Sequence, residues 1–221
     1  MKTKPQIILA LDVDTLVRAK QVVKKLYPHI KIFKVGAQLF TGCGPKVVEF
    51  IRRKGAEVFL DLKFFDIPNT VAHAVRQAVA MKVKMLTLHI LGDEEMLKAA
   101  VAAAKDEARR LKVKRPLLIG VTVLTSKETA SSDVLTLARI GIGCGLDGVV
   151  CSVREVPLLR KQIKKKFLFV TPGIRPVGGY AHDQKRTSTV EDAKKAGSNF
   201  MVIGRPILEA RDPVSAVKQL I

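Results

Sequence analysis

Short apolar runs alternate with amphipathic segments from one end of the chain to the other. The runs occupy 7–11, 32–35, 58–62, 85–90, 117–124, 148–151, 167–170 and 200–203. Between them, apolar residues fall at helical spacing, as in Leu16, Ala19, Val22, Val23 and Leu26, or Val71, Ala74, Val75, Ala78 and Val79. Near-continuous apolar strands separated by helices indicate a parallel sheet covered on both faces. Eight strands are predicted, with C-terminal ends near 12, 34, 61, 89, 124, 151, 172 and 204. Each step is one βα unit long, with no linker or low-complexity tract between units. Eight such units predict an α/β fold, a (β/α)8 TIM barrel forming one domain over residues 1–221. A doubly wound open sheet is the competing arrangement.

Polar residues interrupt the apolar runs mainly at the predicted strand ends: Asp12, Lys34, Asp61 with Lys63, His89, Thr125, Ser152 and Thr171. In a barrel those ends converge on one mouth, where active sites are built. Taken singly, Asp12 or Asp14 reads as a helix cap; several converging charges do not reduce to caps. Strand alternation places Asp61 and Lys63 on the same face, toward the barrel axis, with Lys34 on the neighbouring strand. A Lys-Asp-Lys cluster in a dry mouth requires mutual neutralisation, and a purely structural ion-pair network is the alternative reading. Pro68 suits the first position of a helix. After strands seven and eight, Arg175, Gly204 and Arg205, with Gln184 in the Gly-rich loop, offer guanidinium and backbone donors for a phosphate.

Composition bears on localisation and partners. The 221 residues include 39 Lys+Arg and 20 Asp+Glu, for a net charge of +19, and 48% are hydrophobic. No run approaches the roughly 20 apolar residues of a membrane span, and the N-terminus does not read as a signal peptide. A cytoplasmic protein without membrane association is expected. Cys43, Cys144 and Cys151 form no C-x-x-C pair, so they read as packing residues. Basic residues are spread along the chain, with one cluster at 161–166, and read as a solvated surface with no specific nucleic-acid partner.

These residues resemble the orotidine 5′-phosphate decarboxylase family over essentially the whole chain. The motifs are L-A-L-D at 9–12, K-V-G at 34–36, D-L-K-F-F-D-I-P-N-T at 61–70 and L-T-S at 124–126. They continue with G-L-D-G-V-V-C-S at 145–152, T-P-G-I-R at 171–175, D-Q at 183–184 and V-I-G-R at 202–205. The resemblance implies a cofactor-free, metal-free homodimeric barrel, converting orotidine 5′-monophosphate to UMP and carbon dioxide in de novo pyrimidine synthesis. It implies that Lys63 protonates C6, that Asp61 sits beside the leaving carboxylate, and that Lys34 holds Asp61 and the ribose. Asp12 would bind the ribose hydroxyls, Thr125 the pyrimidine, and Arg175, Gln184, Gly204 and Arg205 the phosphate. Asp66 and Thr70 would complete the partner's site. Phe65 departs from the pattern, because many members carry His there. Metal-dependent sugar-phosphate enzymes on the same barrel share D-x-K-x-x-D, but they tend to place a carboxylate near the second strand, where this chain has Lys34-Val35-Gly36. A basic nucleic-acid-binding module is the non-enzymatic alternative, and it leaves the strand-end residues without an explanation.

Overall fold

A computed structural model of the chain describes residues 4–123, 130–175 and 188–220. Eight parallel strands close into a barrel in sequential order. They are β1 (Gln6–Ala10), β2 (Ile32–Gly36), β3 (Glu57–Phe64), β4 (Met85–His89), β5 (Leu117–Val121), β6 (Gly148–Val150), β7 (Leu168–Thr171) and β8 (Phe200–Ile203). The β1–β8 register, Gln6 opposite Phe200 through Leu9 opposite Ile203, closes the ring. Every predicted strand is present, with its C-terminal end within three residues of the expected position. The open-sheet alternative is excluded by that closure.

The helices that cover the strands begin with α1 (Leu16–Leu26), α2 (Ala37–Cys43), α3 (Pro45–Arg53), α4 (Pro68–Ala80) and α5 (Asp93–Arg110). They continue with α6 (Ser131–Gly143), α7 (Val156–Gln162), α8 (Val190–Ala196), α9 (Arg205–Leu208) and α10 (Pro213–Leu220). Local sequence sets their ends. Thr15, not Asp12 or Asp14, caps α1, its side chain accepting from Arg18 N at 3.2 Å. Pro68 opens α4, where its missing N–H leaves no helix bond unmade.

Two apolar layers follow from strand alternation. Inward residues Ile8, Ile32, Phe59, Met85, Ile119, Val170 and Phe200 fill the barrel. Outward residues such as Leu9, Phe33, Val58, Leu60, Leu86 and Leu118 pack under the helices. Burying each such side chain contributes about 1.5–3 kcal/mol before chain entropy is set against it. The inner plug stops one layer short of the strand C-termini, and polar residues take over there.

Candidate active site

Above Phe59 the barrel opens into a cavity of about 620 Å³, lined by Asp12, Lys34, Asp61, Lys63, Arg175, Gly204 and Arg205 among others. The inward positions of the first three strands run Ile8, Ala10, Asp12; Ile32, Lys34, Gly36; and Glu57, Phe59, Asp61. Each strand thus carries its polar residue up to the mouth. There the charges alternate. Lys34 Nζ lies 3.1 Å from Asp12 Oδ1 and 3.6 Å from Asp61 Oδ2. Lys63 Nζ donates to both oxygens of Asp61 at 3.0 Å. Lys34 and Asp61 are each 13% exposed at the side chain, against 41% for Lys63. The two inner charges are therefore held out of water, and each faces an opposite charge on both sides. That arrangement pairs opposite charges along the chain and restricts their motion. Gly36 is part of it, because a Cβ there would stand 3.1 Å from Lys34 Nζ.

Asp61 and Lys63 meet as expected, although not by regular alternation. Leu60 pairs with Leu86 and Phe64 with Leu88, so residues 61–63 oppose Thr87 alone. The extra residues bulge, and Lys63 takes a left-handed backbone with φ 49°. For a lysine this conformation costs on the order of 1–2 kcal/mol. Thr87, fully buried, bridges the gap: its hydroxyl accepts from Lys63 N at 2.8 Å and donates to Asp61 Oδ1 at 3.0 Å. One side chain therefore fixes both the carboxylate and the strained peptide of the lysine. Sequence reasoning missed Thr87, which sits in M-L-T-L-H as an ordinary strand residue; its inward parity with Met85 was the available signal. Gln38, which lines the cavity and donates to Asp14 Oδ1, was missed as well.

Across the mouth, Arg175 follows β7 and is only 8% exposed, with Nη1 donating to Ile174 O at 3.2 Å. Gly204 caps the single turn α9, which Arg205 begins. A Cβ at Gly204 would meet Ala10 Cβ at 3.3 Å and Asp12 Oδ2 at 3.4 Å, so glycine lets β8 pass close to β1. The cavity thus has an acid–base chain on β1–β3 and a guanidinium pair beyond β7 and β8.

Other predicted residues separate from this group. Asp66 and Thr70 are exposed, lie outside the cavity lining, and Asp66 Oδ1 accepts from its neighbour Ile67 N at 2.7 Å. Thr171 Oγ1 bonds to Ser198 Oγ and Phe200 O, which ties β7 to β8. His89 stacks at a tilt on Phe65, centroids 5.6 Å apart, and its Nδ1 accepts from Leu91 N. Thr125 and Gln184 lie outside the described residues. Cys144 and Cys151 are buried, and burial pushes the Cys144 thiol up, away from the reactive thiolate. Among the described residues, no three or more His, Cys, Asp or Glu are grouped to hold a metal, and no helix is long and apolar enough to cross a membrane.

Comparison with known proteins agrees with this geometry. Residues 5–220 match the model of the orotidine 5′-phosphate decarboxylase / HUMPS family. An orotidine 5′-phosphate decarboxylase of Moorella thermoacetica is 42% identical, covering 100% of this chain and 92% of the relative. One from Syntrophotalea carbinolica is 44% identical, covering 100% and 95%. The crystal structure of orotidine 5′-phosphate decarboxylase from Lactobacillus acidophilus superposes with a TM-score of 0.85 at 35% identity, covering 99% of this chain and 97% of the other. By sequence along its length and by fold, the chain belongs to the orotidine 5′-phosphate decarboxylase / HUMPS family.

Proposed function

We propose that this chain forms a one-domain enzyme that decarboxylates orotidine 5′-monophosphate to UMP without a metal or organic cofactor. The observation that carries the reading is the Asp12–Lys34–Asp61–Lys63 chain, held at 3.0–3.6 Å and facing two arginines across one cavity. In the proposed reaction the C6–carboxylate bond breaks, its electron pair stays on C6, and carbon dioxide leaves. The Lys63 ammonium stabilises that pair, transfers its proton to C6, and is reprotonated by solvent. Asp61 holds the Lys63 side chain in place and stands beside the departing carboxylate. Lys34 neutralises Asp61 and, with Asp12, orients the ribose. Arg175, Gly204 and Arg205 bind the phosphate, with Gln184 from the loop and Thr125 against the pyrimidine; binding energy far from C6 then counts toward the transition state.

The same reading includes a homodimer in which Asp66 and Thr70 enter the partner's site. Supporting it, both are exposed, and so are Phe65 (61%), Ile67 (66%) and Leu91 (59%) around them. An apolar patch beside unused polar residues suits an interface. A cytoplasmic setting follows from the substrate. The test is turnover of orotidine 5′-monophosphate by the purified protein with and without EDTA. Equal rates support the proposal; no turnover, or loss of turnover with EDTA, contradicts it and favours a metal-dependent relative.

A further inference from the structure

The barrel's topology sorts the charge that the sequence spreads. In a parallel barrel, every segment leading from a helix's last turn into the next strand lies at the strand-N-terminal end, opposite the mouth. These segments are 23–31, 50–56, 77–84, 107–116, 140–147, 159–167 and 193–199. They hold 20 of the 39 basic residues and 2 of the 20 acidic ones, Glu107 and Asp147, so these segments carry a net 20 − 2 = +18, against +19 for the whole chain. Compensation of helix dipoles does not account for it. Seven helix C-termini carry about −0.5 each, roughly −3.5 together, several-fold less than the charge present.

Two clefts shape this end. One, of about 370 Å³, is lined by Lys4, His29, Lys31 and Lys194; the other, of about 460 Å³, by Arg52, Lys82, Lys114 and Arg115. Both include Glu57 and Lys84, so they adjoin in one basic groove. Its acidic lining residue, Glu57, pairs with Lys84, and Arg115 pairs with Asp147. Lys4, Lys31, Arg52, Lys82 and Lys114 are exposed and have no ion pair with any described residue. Lys82 and Lys112 even occupy left-handed positions (φ 53°) after α4 and α5, where glycine is the unstrained choice.

We propose that this end of the barrel is a docking surface for the phosphodiester backbone of a nucleic acid, bound without base readout. A run of lysines along a groove, with no Phe, Tyr or Trp in its lining, suits phosphates and carries no sequence code. An anionic membrane fits less well, because among the described residues the large exposed apolar side chains, Val17, Phe65, Ile67 and Leu91, all lie outside the groove lining.

The test is fluorescence anisotropy of a labelled 25-nucleotide single-stranded RNA and a 25-base-pair DNA duplex across a salt series. Binding should weaken steeply with salt. The triple variant Lys31→Glu, Lys82→Glu, Lys114→Glu should bind at least about tenfold more weakly, and its RNA log–log salt slope should be shallower by about 2. Its kcat/KM for orotidine 5′-monophosphate should match that of the parent, because none of the three residues touches the mouth. A charge-matched variant, Arg18→Glu, Lys46→Glu, Lys105→Glu, should retain binding. No binding at 50 mM salt overturns the proposal. So does an equal loss in the charge-matched variant, or binding only to phosphatidylserine vesicles or polyglutamate.

Discussion

Replacing Thr87 with valine keeps the volume of a fully buried side chain and deletes only its hydroxyl. Two bonds are lost, the one donated to Asp61 Oδ1 and the one accepted from Lys63 N. A hydrogen bond to a charged group contributes about 1.5–3 kcal/mol, and an orphaned buried N–H costs about 1–3 kcal/mol. Asp61 retains its ion pairs with Lys63 and Lys34 but loses the contact that fixes its orientation. The N–H left without a partner belongs to the residue already strained at φ 49°. The peptide is then free to relax toward a more ordinary conformation and carry the ammonium away from the position the proposed proton transfer requires. If about 1.4–2.8 kcal/mol of this appears in the barrier, kcat falls about 10- to 100-fold. KM should change by less than about threefold, because Arg175, Gly204 and Arg205, the proposed phosphate partners, lie across the cavity. Thr87→Ser retains the hydroxyl and should stay within about fivefold of the parent. Steady-state kinetics on the three proteins is the assay. An unchanged kcat in the valine variant, or a serine variant as slow as the valine one, would refute the positioning argument.

Three further outcomes are expected. Arg205→Ala should lower kcat/KM about 10- to 100-fold, mainly through KM, with inorganic phosphate inhibiting the variant less than the parent; an unchanged value removes Arg205 from the phosphate site. Inactive Lys63→Ala and inactive Asp66→Asn subunits, mixed equally and allowed to exchange, should recover about a quarter of parental activity through one intact site per heterodimer; no recovery argues against a shared site. The hydrogen bond from Arg110 holds the Glu107 carboxyl below its usual 4.5. Its stabilisation is therefore complete above pH 4.5 and is lost as pH falls through the depressed value. Melting curves of Glu107→Gln should show a deficit at pH 7 that closes in acid, and a pH-independent deficit would contradict this.

The eight strands were legible because a sheet buried on both faces leaves almost no polar residue inside each run. The mouth was legible for the complementary reason: Asp12, Lys34 and Asp61 are polar residues in inward-facing rows near the strand C-termini. Two things were not. Alternation presumes one residue opposite one, and nothing in D-L-K-F announces that three residues of β3 face Thr87, so the strain at Lys63 and the role of Thr87 appear only in the register. The polarity of the charge was not legible, for a topological reason. Lysines scattered every few tens of residues look like an even coat until a parallel barrel brings all the helix-to-strand segments to one end. The surface reading was right residue by residue and missed the polarity of the whole.

The most direct test of the account bears on Lys63. Purified parent protein and Lys63→Ala are each incubated with orotidine 5′-monophosphate, and UMP is quantified under single-turnover conditions. The account predicts UMP formation by the parent and a rate lower by at least about 10⁴-fold in the variant, with binding of UMP retained. A variant that decarboxylates near the parental rate would contradict the assignment of Lys63 as the group that stabilises and protonates C6.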